Sequence, residues 1–362
     1  MRAGLLIYGP LDTVSGGYLY DRKLVEYLRR QDDSVEIISL PWRDYARHLG
    51  DNLSFRLHAR LASLSLNVLI QDELNHPSLF WLNRRLRRHA HFPILTIVHH
   101  LRSSEVRPAW QNRFYRWIER LYLSTLDGYI YNSQTTRQAV QNLLGGAVSQ
   151  RPSIVAYPAG DRLSPEIEAA EILRRVQQPG PLRLLFLGNV IPRKGLHTLL
   201  EALHRVPQME WELAVAGSLE MDNVYAAAMR RRVDRAGLSE QVRFLGPLDD
   251  QCLAGQMKAS HLLVLPSSYE GFGIAYLEGM GFGLPAIATR GGGAGEIITH
   301  DQDGYLIEPD DAAALAEHLA TLTADRRRLL AMSLAARQRY LTHPTWDQTA
   351  RRIRSFLLEF QR

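Results

Sequence analysis

Twelve short apolar runs, with helical patterns between them, constrain this chain more than any other feature. The runs fall at residues 4–8, 35–39, 68–71, 94–98, 128–131 and 154–156, and again at 182–187, 211–216, 242–245, 262–265, 285–288 and 305–307. Between them, residues 20–30, 198–205, 223–236 and 312–326 repeat apolar positions at helical spacing. Strands that are apolar throughout are covered on both faces, and alternation with helices makes their sheets parallel. Two such series in 362 residues, too many for one hydrophobic core, predict an α/β fold of two Rossmann-like domains.

The break falls around residues 161–180, where Pro165, Pro179, Gly180 and Pro181 flank a short Glu/Arg-rich helix. The expected layout is a first domain over 1–164, a linker over 165–181, a second domain over 182–344 and a C-terminal helix over 345–362 packing back on the first domain. Ile353, Phe356 and Leu357 mark the apolar side of that helix.

Charge is unevenly spread. Up to Ser164 there are 21 Lys and Arg against 14 Asp and Glu, a balance of +7; the remainder has 22 against 24. A basic front half suits an acidic partner, such as anionic lipid, a phosphorylated acceptor or nucleic acid. A solvated Arg-rich surface explains the same imbalance. Residues 80–88 and 110–122 mix aromatics with arginines, which suits an anionic membrane surface and equally suits helices packed inward. The single cysteine, Cys252, rules out an internal disulfide, points to a reducing, cytoplasmic setting and reads as a small core residue. No apolar run reaches the roughly 20 residues of a membrane span. The first residues, punctuated by Gly9 and Pro10, read as a strand and not as a secretory signal.

Ligands of open parallel sheets bind outside the carboxyl ends of the strands, so the loops there carry the chemistry. One of them opens the string PSSYEGFGIAYLEGMGFGLPAIATRGGG, residues 266–293. Glu270 and Glu278 stand eight positions apart around Gly271, Phe272 and Gly273, with a helical pattern from Ile274. A helix N-terminus attracts phosphate, and glycines let a ligand approach the backbone. Glu270, just ahead of the helix, suits sugar hydroxyls. Glu278, about two turns on and nearly on the same side, suits a ribose diol. Taken singly, either residue reads as well as a cap or a surface charge.

The string as a whole resembles the E-x7-E signature of retaining GT-B glycosyltransferases, specifically glycosyltransferase family 4. The resemblance covers nearly the whole chain and is more specific in the second half. It implies two Rossmann-like domains with parallel sheets facing across a cleft. It implies transfer of a hexose-type sugar, with retention, from a UDP- or GDP-linked donor to a glycan or lipid-linked acceptor. By resemblance, Gly188 to Gly195 is the phosphate loop, where Lys194 and Arg193 meet the donor diphosphate. Many relatives carry Arg directly after the first glycine; here Asn189 stands there, and Arg193 is expected to take over its contact. Gly246 and Leu248 lie where relatives read the base through backbone groups. Gly291 to Glu296 resembles a further glycine loop near the donor, and reads equally as a plain turn.

In the first half, the resemblance makes Ser15-Gly16-Gly17-Tyr18 the loop whose Gly17 N–H reaches the distal phosphate when the domains close. His99 takes the place of a histidine contacting the donor sugar. Neighbouring residues at a strand end point to opposite sides, so only one of His99 and His100 fills that role; the resemblance favours His99, and the strand itself leaves the choice open. The implied catalytic set is Glu270, His99, Lys194 and Arg193. The donor contacts are Gly17, Gly188, Asn189, Gly246, Leu248, Gly271, Phe272, Gly273, Ile274 and Glu278. No divalent metal or cofactor is expected besides the nucleoside diphosphate sugar, because protein cations meet the diphosphate and no His and carboxylate constellation with metal-ligand spacing stands out. No G-x-G-x-x-G follows the first strand, which disfavours dinucleotide binding. A nucleic-acid partner is not expected, since the second half is not basic. A cytoplasmic protein, peripheral at the inner face of a membrane, is the expected setting. The alternatives are a GT-B nucleotide-sugar epimerase and a non-catalytic basic binding module.

Overall fold

Strands whose residues are buried on both faces need cover on both, and that requirement shapes the fold. The computed structural model describes residues 1–145 and 151–360 and divides into two compact units, residues 1–158 with 344–362 and residues 159–343. The domain ranges set out above as 1–164 and 345–362 therefore include residues 146–150 and 361–362, which lie outside the described residues.

Among the described residues, the first unit holds β1 (Arg2–Tyr8), β2 (Ser34–Leu40), β3 (Val68–Asp72), β4 (Ile94–Val98), β5 (Gly128–Tyr131) and β6 (Ser153–Val155). They pair in parallel in the order β2-β1-β3-β4-β5-β6. Every residue of β3, β4 and β5 is buried. The second unit holds β7 (Leu182–Leu187), β8 (Trp211–Ala216), β9 (Val242–Gly246), β10 (Leu262–Leu265), β11 (Ala286–Thr289) and β12 (Gly304–Ile307), paired in parallel as β12-β11-β10-β7-β8-β9. Both orders are doubly wound. In each the chain reverses direction at one place, between β1 and β3 and between β7 and β10, and there the loops splay apart to leave a crevice.

Helices start where side chains cap them. Ser15 Oγ accepts from Tyr18 N at the head of Gly16–Arg30, and Asp222 and Asp249 do the same for Asn223–Arg235 and Asp250–Ala259. The helical pattern expected over 312–326 stops at Ala324, because Asp325 caps a second helix, Arg326–Thr342. The first helix begins at Gly16, four residues earlier than its apolar spacing indicated. Cys252 is exposed on the first turn of Asp250–Ala259, with its N–H donating to Asp249 Oδ1 at 2.7 Å; it is not the core residue expected.

The segment 165–181 carries a helix, Ala169–Gln177, that buries Ile172 and Arg175 within the second unit. The Arg175 guanidinium donates to the carbonyls of Phe282 and Gly283 at 2.9 and 2.8 Å. The last helix, Trp346–Leu358, opens on a capping box between Thr345 and Gln348 and belongs to the first unit. It buries Ile353, Phe356 and Leu357, and Arg354 reaches Asp33 at 2.6 Å.

Candidate active site

In the second unit the switch point lies between β7 and β10, and the loops after these two strands meet there. After β7 the chain turns through Pro192–Lys194 and enters the helix Leu196–His204 by way of Gly195. Gly195 has φ +74°, and a Cβ on it would stand 2.0 Å from the Pro266 carbonyl oxygen. Only glycine allows this approach. It brings Lys194 against the loop after β10, and Ser268 N donates to Arg193 O at 2.8 Å to tie the loops together.

Glu270 is the centre of the meeting. Its carboxylate contacts Lys194 Nζ, accepts from Ser267 Oγ at 2.7 Å and lies 3.6 Å from the Arg193 guanidinium. Arg193 also donates to the Tyr269 carbonyl at 2.6 Å. Burial opposes charge on Glu270, yet the two cations with the Lys194 and Ser267 hydrogen bonds outweigh it and hold its carboxyl at about 2. Burial also lowers the Lys194 ammonium, against the pull of Glu270. Two cations on one carboxylate leave a surplus positive charge. The helix Ile274–Gly281 adds to it, because Gly273 brings no side chain to cap its first N–H groups.

The Gly291 to Gly293 loop has a role that its sequence left open. Glu270 N donates to Gly291 O at 2.9 Å, and Gly293 N to Glu270 O at 2.8 Å. A Cβ on Gly292, at φ +97°, would lie 1.9 Å from the Glu270 carbonyl oxygen. This loop is the backbone clamp that holds Glu270 in place.

The relation expected between the two glutamates needs correction. Glu270 is extended, in an isolated bridge with Gly292, and the helix begins only at Ile274. The two side chains are therefore not two turns apart on one helix. Glu278 is buried and accepts from Arg162 Nε at 2.8 Å, while Arg162 also pairs with Asp250. Burial raises the Glu278 carboxyl, against the charge of Arg162. The structure thus gathers Lys194, Arg193 and Glu270, and holds Glu278 on a separate arginine.

The other expected donor positions meet their neighbours through backbone hydrogen bonds or packing. Gly188 N donates to Ala216 O at 2.9 Å, and Asn189 Oδ1 accepts from Ser218 N at 3.4 Å. Gly246 O accepts from Gly217 N at 2.8 Å, and Leu248 is half-buried in the loop beyond β9. Phe272 is buried beside the His343 ring, so its side chain is a packing group, while Gly271, Gly273 and Ile274 are half-buried around it.

In the first unit, Gly17 and His99 are neighbours. A Cβ on Gly17 would lie 3.2 Å from His99 Cδ2. His99 Nε2 is 3.4 Å from Asp21 Oδ1, whereas His100 turns to Glu105 at 3.0 Å. Burial alone would lower the imidazole, but Asp21, with Asp72 and Glu73 behind it, raises it to about 9. Burial and the Asp21 charge push Asp72 up to about 7. Two buried sets gather ligand-type atoms within 4.8 Å of one another: Asp21, Asp72 and His99, and Glu73, His76 and Glu119. Spacing along the chain shows them only in part: Asp21, Asp72 and His99 come from three separate segments, while Glu73 and His76, three residues apart, are joined by the distant Glu119. The Asp-x-Asp triplet at Asp301 to Asp303 is engaged locally: Asp303 Oδ1 accepts from Thr299 N at 2.7 Å and Asp301 pairs with Arg328. Ser267, Arg162, Asp21 and Asp72 were not foreseen. Ser267 lay inside the quoted string, while nothing local marks the other three.

Two doubly wound parallel units, with loops at both switch points, define the GT-B glycosyltransferase fold. The sucrose-phosphate synthase of Thermosynechococcus elongatus superposes with a TM-score of 0.83 at 21% identity, over 99% of this chain and 98% of that one. Anabaena HepE in complex with UDP and glucose superposes at 0.79 and 19% identity, over 99% and 100%. Residues 170–339, within the second unit, match the family described as glycosyl transferases group 1. The glycogen synthase of Mycobacterium tuberculosis is 32% identical over 179 residues, 49% of this chain and 42% of the relative. A GDP-mannose-dependent alpha-(1-6)-phosphatidylinositol monomannoside mannosyltransferase of the same organism is 27% identical over 244 residues, 64% and 61%. The chain thus matches about half the length of these curated relatives.

Proposed function

We propose that this chain is a retaining hexosyltransferase, moving a sugar from a UDP- or GDP-linked donor to a glycan or lipid-linked acceptor. The observation that carries the reading is the surplus positive charge of Lys194 and Arg193 around the buried Glu270. A diphosphate supplies the anion that such a site lacks. Glu270 orients the sugar. Glu278, once a ribose diol competes for it with Arg162, holds the nucleoside.

The bond from the anomeric carbon to the β-phosphate oxygen breaks, with its electrons leaving on the diphosphate. The acceptor oxygen bonds to the same face of that carbon and passes its proton to the departing phosphate. Lys194, Arg193 and the N-terminus of Ile274–Gly281 stabilise the charge that develops, each donor contributing on the order of 3 kcal/mol. These protein cations do the work that a divalent ion does elsewhere, so the reaction is metal-independent.

A lipid-linked acceptor is supported by the first unit's surface. The helix Ala109–Leu123 exposes Trp110, Phe114 and Trp117 together with Arg113, Arg116 and Arg120, and no acidic side chain is exposed on it. The name of the matched mannosyltransferase, which includes a phosphatidylinositol monomannoside, points the same way. No described helix is long and apolar enough to cross a membrane, and this face suits peripheral contact with an anionic one.

The test is transfer and nucleotide binding together. Glu270→Ala and Lys194→Ala should each lower transfer by at least about a hundredfold, with circular dichroism unchanged. UDP or GDP should raise the melting temperature of the unaltered protein. Full activity in both variants, or no stabilisation by any nucleoside diphosphate, would sink the assignment.

A further inference from the structure

Arg162 lies in the short turn Asp161–Leu163, which belongs to the second unit. A close backbone approach seats it there. A Cβ on Gly160 would stand 2.7 Å from Leu277 Cβ, 2.8 Å from Leu277 C and 3.0 Å from Glu278 N. Any side chain at 160 would push the turn off the helix Ile274–Gly281, so the glycine is what lets Arg162 reach Glu278. Arg337 secures the chain just beyond, donating to Gly281 O at 2.6 Å and to Pro165 O at 3.2 Å.

Arg162 joins two acids of the same unit. Its Nε donates to Glu278 Oε1 at 2.8 Å, and its Nη1 pairs with Asp250. Asp250 opens the helix that follows β9 and the loop of Gly246 and Leu248. Its side chain is 62% exposed, so its pair with Arg162 contributes little. Glu278 is buried, and burial favours its neutral form, so its charge depends on the guanidinium. Partial burial works against the Arg162 charge too, and the two carboxylates outweigh it. Among the described residues, Glu278 Oε2 carries no hydrogen bond. One oxygen of the carboxylate is thus fixed and the other is open to a ligand. Each carboxylate oxygen offers two lone pairs, so the competition between a diol and Arg162 is settled by sharing: the diol takes Oε2 and joins Arg162 on Oε1.

We infer that Arg162 is the positioning residue of the nucleoside site, holding the Glu278 carboxylate so that a preference for ribose over 2′-deoxyribose depends on it. A carboxylate accepts from both hydroxyls of a ribose, and its bonds to them are strengthened by its charge. Without Arg162 the acid is neutral and free to turn, and the second hydroxyl gains nothing. The inference rests on the reading that Glu278 meets the ribose of the donor. A plain strap, tying the turn to the helix, accounts for the same contacts, and the two roles differ in what they do to nucleotides.

The experiment measures dissociation constants on the full chain by calorimetry, with UDP, GDP and their 2′-deoxy counterparts as probes. The unaltered protein should bind at least one of the two ribonucleotides at least about tenfold more tightly than its 2′-deoxy form. Arg162→Met should weaken that ribonucleotide by at least about tenfold and leave the 2′-deoxy form nearly unchanged, so that the two bind alike. Arg162→Lys keeps the charge without the planar fork and should fall between them. Adding Arg162→Met to Glu278→Gln should cost no further affinity, because both act through one carboxylate. A full ribose preference in Arg162→Met, an equal loss for both sugars, or an additive loss in the double variant would overturn the inference and leave Arg162 a strap. If Arg162→Met does not fold, Arg162→Lys decides, and an undiminished preference there overturns the inference. Equal binding of ribose and 2′-deoxyribose forms by the unaltered protein would instead refute the ribose contact of Glu278, and the inference with it. Binding of none of the four would refute the nucleotide site itself.

Discussion

Lys194 is half-buried and Glu270 buried, and each offsets the cost of burying the other's charge. Removing one partner should therefore cost more than the pair is worth. Lys194→Met leaves Glu270 with Ser267 and the more distant Arg193, and its carboxyl should rise from about 2. The loss should be about 3 kcal/mol in urea unfolding of the second unit. Adding Glu270→Gln should recover most of it while leaving nucleotide binding abolished. No recovery in the double variant would mean that the pair does not stabilise as a unit. The pair was legible because both members lie in local strings with glycines at telling positions. Asp21 and His99 were half legible at most. His99 follows a strand, while Asp21, 78 positions away, shares a helix stripe with Tyr18, Leu24 and Leu28, so its burial is legible in the helical spacing but its partner is not.

The elements themselves were written plainly in the chain. All twelve strands among the described residues overlap the apolar runs, and the central ones, covered on both faces, cannot hide their composition. Boundaries were less visible. Arg2 and Ala3 join β1 because Ser34 and Val35 pair with them, a fact about β2 and not about β1. The glycine loop after β11 shows what local reading misses, since its function is to clamp another loop. Gly292→Ala would place a methyl group 1.9 Å from the Glu270 carbonyl oxygen at a φ of +97°. It should destabilise the second unit by at least about 3 kcal/mol and lower transfer with it. Gly295→Ala, three residues on, meets only Leu306 Cδ1 at 3.8 Å and should change stability by less than about 1 kcal/mol. Equal effects in thermal melts of the two variants would refute the clamp.

At the scale of the whole molecule, the basic front half and its aromatic stretches left two readings open, membrane contact or inward packing. The structure separates the side chains. Tyr122 and Ile118 of Ala109–Leu123 are buried, while Trp110 and Trp117 are 70% and 58% exposed with three arginines among them. Leu53, Phe55 and Trp81 form further exposed apolar surface in the same unit, beside Arg56, Arg60 and Arg84. An exposed indole with a guanidinium next to it gains most at a boundary that is apolar on one side and anionic on the other. The protein should therefore co-sediment with phosphatidylglycerol vesicles at low salt and less with neutral ones, each interfacial arginine contributing about 1 kcal/mol. Trp110→Ser with Trp117→Ser should weaken that binding at least about tenfold, since the rings supply the apolar part of it. The same double variant should keep its nucleotide-induced melting shift, because Lys194, Arg193 and Glu270 belong to the other unit. Absence of vesicle binding at low salt would remove the membrane from the proposal and leave a soluble glycan as the acceptor class.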